Sequence, residues 1–223
     1  MATVTMIRFV AFSCALFSTC LYGTCFFIPP EGWDVADPET LSPRVHIAFV
    51  GKGSGLAPTV NLATEPVTIT LQAYVDAVRK IHIADPNAKW RDLGRFDTLL
   101  GAGKLTELEV ATEQGKARLM QLMVVKEGLA YILTACALKE EFSKYYKLFD
   151  ATFHSLQEAD DLAACYPEEK RGELKQALEG LTGEEKWADF EQKIIQDFTK
   201  MGSYWQILLL SEARAKLLIE RKE

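Results

Sequence analysis

Residues Val45-His46-Ile47-Ala48-Phe49-Val50 alternate in character and predict a strand. The run Gly51-Lys52-Gly53-Ser54-Gly55 is turn chemistry, and 58–63 reads as the returning strand of a hairpin. The period then changes. Leu71, Tyr74, Val75, Val78 and Ile81 fall at helical spacing behind Thr70, a residue type suited to an N-cap. Asp85-Pro86-Asn87 ends that helix in a turn. Four more strands follow in meander order, at 89–99, 105–112, 117–125 and 129–138. Each break between them carries glycine: Gly101-Ala102-Gly103, Glu113-Gln114-Gly115-Lys116 and Lys126-Glu127-Gly128. Breaks this short favour antiparallel neighbours.

The last two strands are apolar at almost every position. A strand apolar on both faces must be covered on both faces, so helices are expected above and below. The predicted fold class is α+β, an antiparallel β-sheet sandwiched between helices (α/β/α). A helix over 139–156 closes the unit, with Phe142, Tyr145, Tyr146, Phe149, Phe153 and Leu156 forming a stripe that reads as core.

Beyond it, 157–223 reads as a helical C-terminal extension. Asp160-Asp161-Leu162 marks a linker, and Tyr166-Pro167-Glu168-Glu169 starts a helix that Gly172 and Gly180 weaken. From Glu184 onward Trp187, Phe190, Ile194, Phe198, Met201, Trp205 and Leu208 recur at steps of three and four. Gly202-Ser203 is placed to kink or split this amphipathic helix. The stripe must be buried somewhere: on its own domain, in a helical hairpin, or against a partner or second copy of the chain. On the last reading Trp187, Phe190, Ile194, Phe198 and Trp205 are candidate partner-binding residues. A membrane-surface helix fits poorly, because acids outnumber bases fifteen to ten over 155–223.

The first segment differs from everything after it. Residues 1–28 hold one charge, Arg8, and from Phe9 to Ile28 every side chain is apolar, small or hydroxylic. That is the pattern of a secretory signal over 1–23, with Gly23 suited to the cleaved position. It predicts an exported protein of the periplasm or cell envelope. Two alternatives stay open: an uncleaved anchor, and lipidation at Cys25 or Cys20. Tyr22-Gly23-Thr24 is a poor lipidation motif. Membrane contact is expected only through this segment.

Phe27-Ile28-Pro29-Pro30-Glu31-Gly32-Trp33 resembles the opening motif of PsbP-like domains (the PsbP/DcrB type). The order of predicted elements over 27–156 is similar too. The resemblance implies a central antiparallel sheet between helices, with the motif tryptophan at the base of the sheet. Relatives of that kind include extrinsic photosystem subunits, a nuclear-import factor and bacterial envelope lipoproteins. They share no reaction, and the resemblance implies a role in binding or assembly. The acidic tail lies outside that pattern. An acidic, exported, cysteine-light chain with such a tail also resembles envelope proteins of chlamydiae.

Charge and chemistry narrow the picture by exclusion. The chain has 223 residues, net charge −6 and pI near 5.3, which disfavours nucleic acid. Gly101-Ala102-Gly103-Lys104 lacks the first glycine and the final hydroxyl of a phosphate loop, at Thr98 and Leu105. Ser54 lacks the flanking glycines of a nucleophile elbow. His46, His82 and His154 lie on separate elements, and no cysteine pair has metal-ligand spacing. No catalytic, cofactor or metal residue is therefore expected. The leading expectation is a non-enzymatic protein that binds an unknown protein partner, or itself, through the sheet edge or the tail helix. A carrier of a small apolar ligand or lipid is the first alternative. A hydrolase with a degenerate site is the second. Cys136 reads as a small buried apolar residue, with a bond to Cys165 left open.

Overall fold

The computed structural model describes residues 24–37, 40–53, 55–159, 166, 168–198 and 203–220. The apolar segment 1–23, expected to be a secretory signal, lies outside the described residues, as do Ser54, Asp160-Asp161, Cys165, Met201 and Gly202. The strands are β1 (Thr24–Phe26), β2 (Asp34–Val35), β3 (Val45–Val50), β4 (Thr59–Pro66), β5 (Lys89–Asp97), β6 (Ala102–Thr112), β7 (Gly115–Lys126), β8 (Leu129–Leu138) and β9 (Gln157–Ala159). The helices are α1 (Leu71–Ile83), α2 (Phe142–His154), α3 (Glu168–Glu179), α4 (Trp187–Asp197) and α5 (Ser203–Glu220), and a 3-10 turn, Glu184–Lys186, leads into α4.

Seven strands form one antiparallel sheet in the order β2-β3-β4-β8-β7-β6-β5. The meander β5 to β8 is closed by β4, which pairs with β8 from Thr59↔Cys136 to Pro66↔Leu129. The doubly apolar β7 and β8 are thus inner strands. On one face Met120, Leu122, Val124, Leu133 and Ala135 meet Phe142, Phe149 and Phe153 of α2. On the other, Met123 and Ala130 meet Tyr74 and Val75 of α1. The expected α+β sandwich is present, with helices on both faces.

Local chemistry explains most boundaries. Thr70 caps α1, its hydroxyl accepting from the Ala73 N–H at 3.3 Å. β6 starts at Ala102, three residues before the expected Leu105. The turn is tighter than the glycine pattern implied: Gly101 closes it at φ 141°, bonded to Thr98, while Gly103 already lies in the strand. A Cβ at Gly103 would come within 2.8 Å of both the Leu122 side chain and the Met123 carbonyl, so only glycine allows this approach. α2 occupies 142–154 rather than 139–156, because Lys139–Glu141 turn out of β8.

The extension is not a free appendage. Leu174, Leu181, Phe190, Ile194, Phe198, Tyr204, Leu208 and Leu209 share one continuous core with Phe27, Phe49, Leu62 and Phe149. Of the readings left open for the apolar stripe, the structure displays the one in which it covers its own domain. β1 and β9 also pair across the expected limits of the 27–156 unit, in register from Thr24↔Ala159 to Phe26↔Gln157.

Candidate functional site

The opening segment is tied both to the end of α2 and to α5, and this anchoring sets the geometry of a cleft. Phe27 is fully buried and bonds Tyr204 twice: its N–H donates to the phenol oxygen at 3.0 Å, and the phenol donates to its carbonyl at 2.7 Å. Burial pushes the Tyr204 phenol well above its usual pKa, so it stays protonated and can serve both bonds. Phe27, Phe49 and Tyr204 form a triangle of rings with centroids 5.1–5.8 Å apart. The Ile28 N–H donates to Ser155 Oγ at 2.8 Å, tying the segment to the end of α2. Trp33 packs edge-on to Tyr145 and Phe149, each at 6.1 Å, and lies so close over Gly51 that a Cβ there would meet its ring at 2.6 Å.

These anchors leave an open cleft of about 300 Å³. The opening segment supplies Ile28, Pro29, Pro30, Glu31, Gly32 and Trp33. α5 supplies Ser203, Tyr204 and Trp205, and Val35 and Phe49 complete the lining. The walls are rigid: two prolines fix the backbone on one side, and Tyr204 and the edge-on contact of Trp205 with Phe26 (5.2 Å) fix the other. Ile28 is 58% exposed at the rim. Glu31 is exposed and makes no ion pair or hydrogen bond among the described residues. An apolar, aromatic and stiff recess suits the capture of a side chain, since little entropy is lost in its walls.

The five tail residues singled out by periodicity are distributed differently from a binding surface. Phe190, Ile194 and Phe198 are buried within the chain. Trp187 is half-buried, its ring tilted at 45° against Phe190 with centroids 5.8 Å apart. Only Trp205 reaches the cleft. Burial against the core, worth more than exposure for rings this size, takes up the rest. Cys25 lies in β1 opposite Glu158, packed against the core. Burial, followed by the Glu158 charge, raises its thiol well above the ordinary value. Cys136 is half-buried in β8, its thiol pushed up to about 11 by burial.

A second cluster escaped sequence reading. Glu107 and Glu109 are both buried on the α2 face of β6. Arg91 pairs with Glu107, while Arg118 reaches Glu109 at 2.6 Å and Lys139 reaches it at 2.7 Å. The Lys139 and Arg118 bonds hold the Glu109 carboxyl down to about 2. The Arg118 guanidinium also lies 5.6 Å over the Phe142 ring. Two glutamates at i and i+2, flanking Leu108 in the middle of a strand, were the available signal. Their partners come from β5, β7 and the turn that follows β8. Every carboxylate here is matched by a cation, which suits a structural tie.

His46 contacts Thr64, and His154 stacks on Phe96 at 4.3 Å and contacts the Asp97 carbonyl at 3.3 Å. Desolvation lowers the pKa of both His46 and His82. Among the described residues, no histidine bonds a serine or cysteine side chain, and no group of three His, Cys, Asp or Glu is placed to hold a metal ion. Among the same residues no helix is long and apolar enough to cross a membrane.

No family model and no curated protein sequence matches the chain. Solved structures do resemble it. Cyanobacterial PsbP (CyanoP) from Synechocystis sp. PCC 6803 is similar over 66% of this chain and 98% of its own, at 12% identity and TM-score 0.46. LpqN of Mycobacterium tuberculosis, involved in cell envelope biogenesis, is similar over 60% and 82%, at 11% identity and TM-score 0.47. A Pseudomonas aeruginosa protein of unknown function is similar over 61% and 99%, at 13% identity and TM-score 0.42. What the chain does must therefore be argued from its own residues.

Proposed function

We propose that this chain is an exported, non-enzymatic protein of the cell envelope that works by holding a protein partner at the cleft between its opening segment and α5. The observation that carries the reading is the cleft itself, an aromatic recess with a rigid lining and Ile28 exposed at its rim. Such a recess flanked by an exposed aliphatic side chain is the form of an interface anchor. The apolar segment 1–23 supports export. Two other surfaces suit a partner less well. The tail stripe is occupied by the chain's own core. The outer strand β5 carries Lys89, Arg91, Asp92, Arg95 and Asp97 and a bulge between Asp92 and Gly94, features that discourage strand addition. An apolar carrier needs a chamber closed to water, whereas this cleft is open.

The test uses full-length protein expressed with its N-terminal segment. Fractionation and sequencing of the mature N-terminus locate it. A photo-crosslinker at Ile28 is compared with one at Leu99, which is 73% exposed. Partner recovered at Ile28 should fall by about tenfold in Ile28→Asp and persist in Leu99→Asp. A cytoplasmic location, or equal capture from both positions, overturns the reading.

A further inference from the structure

The cleft carries more chemical detail than an apolar recess. From Phe9 to Pro43 the chain contains no lysine, arginine or histidine. The cleft's one charged lining residue, Glu31, has no cation facing it among the described residues. Beside it stand the rings of Trp33, Tyr204 and Trp205. Phe27 already uses both bonding directions of the Tyr204 hydroxyl and Tyr204 itself is buried, so the accessible aromatic surface is that of the half-buried Trp33 and Trp205. A carboxylate at the rim of an aromatic recess selects an organic cation: the rings attract it through their negative faces, and the carboxylate supplies the counter-charge.

We infer that the partner presents an arginine side chain, which enters the cleft with its guanidinium against the rings and its N–H groups toward Glu31. The inference rests on the protein-binding reading and names what that partner brings. Arginine fits better than lysine, because its planar, weakly hydrated head stacks on rings while forking onto a carboxylate. Charge complementarity favours the same choice, since the chain is net −6 and a basic segment would be drawn toward it.

The experiment titrates the full chain with blocked Gly-Arg-Gly peptide and follows tryptophan fluorescence and amide NMR shifts at Glu31 and Ser203. Blocked Gly-Glu-Gly peptide and choline are run in parallel. Arginine peptide should bind saturably, and shifts should centre on the cleft. Affinity should drop roughly fivefold in Glu31→Gln and roughly tenfold in Trp205→Ala. Glu113→Gln, which removes the same charge from an exposed hairpin, should leave it unchanged. Glu31 is exposed, so Glu31→Gln keeps the test valid if Trp205→Ala fails to fold. Equal loss in Glu113→Gln overturns the inference in favour of bulk charge. Binding of choline without the arginine peptide overturns it in favour of a free ammonium ligand. A crosslinked partner whose capture survives Glu31→Gln leaves the protein-binding reading standing and removes only the arginine.

Discussion

The two faces of the sheet are built on different plans. The α2 face carries one unbroken core, in which rings from the opening segment, β3, α2 and the tail helices all touch. The α1 face holds two smaller clusters. One is Tyr74, Val75, Met123 and Ala130 under the helix. The other is Leu108, Ala117 and Leu119 near the loop residue Leu56. Chain order accounts for the difference. α1 follows β4 directly, and its covering is a local affair. The α2 face is completed by α3 to α5, the last described elements of the chain. Its stability therefore depends on contacts between residues up to 177 positions apart. The cleft sits on that face, where the first and last described elements meet.

The strongest way to break this comparison is to damage the tail. Phe198 is fully buried, and Phe198→Ala should cost about 3–5 kcal/mol in denaturant unfolding. An unchanged midpoint would mean that the tail is not part of the core. Next is Tyr204→Phe. It removes both bonds to Phe27 and leaves a buried N–H and carbonyl without that partner, for a loss of about 1–3 kcal/mol. The same variant should loosen the cleft, seen as faster amide exchange at Phe27. No change in that exchange would show that the phenol does not hold the segment.

Glu109→Gln tests the ionic tie on the same face. Loss of about 1–2 kcal/mol is expected at neutral pH. The folded pKa lies below the ordinary value of 4.5, so the carboxylate's contribution is complete above that value and fades as pH falls toward about 2. The gap between wild type and variant should close over that acid window. A gap independent of pH would assign Glu109 a packing role instead. The smallest effect belongs to the other face. Thr70→Ala should cost about 1 kcal/mol and leave exchange in the tail helices untouched. Coupled loosening of α5 would show that the two faces fold as one unit.

Much of the framework was legible in the residues. Val45–Val50 and Leu129–Leu138 begin and end where the pattern placed them, with Gly51 closing the first and Gly128 opening the second. Thr70 announced its own cap. β1 and β9 are three residues each, too short for any period to emerge. Gly103 looked like part of a turn because sequence cannot display the β7 backbone that presses on it. The candidate site was only half visible. Trp33 belongs to a motif that resembles other openings, and Trp205 belongs to the periodic stripe of the tail. Nothing local says that they line one recess.

Sequence alone settled the alternation of elements, the doubly apolar inner strands, the capped α1 and the amphipathic tail. These follow from periodicities of two and 3.6, which any short window contains. Tertiary structure decided which surface the tail covers, which carboxylates acquire cations, and that the opening segment and α5 enclose a cleft. Those outcomes depend on competition among distant apolar faces for the same burial, and a one-dimensional pattern records the faces without the pairing.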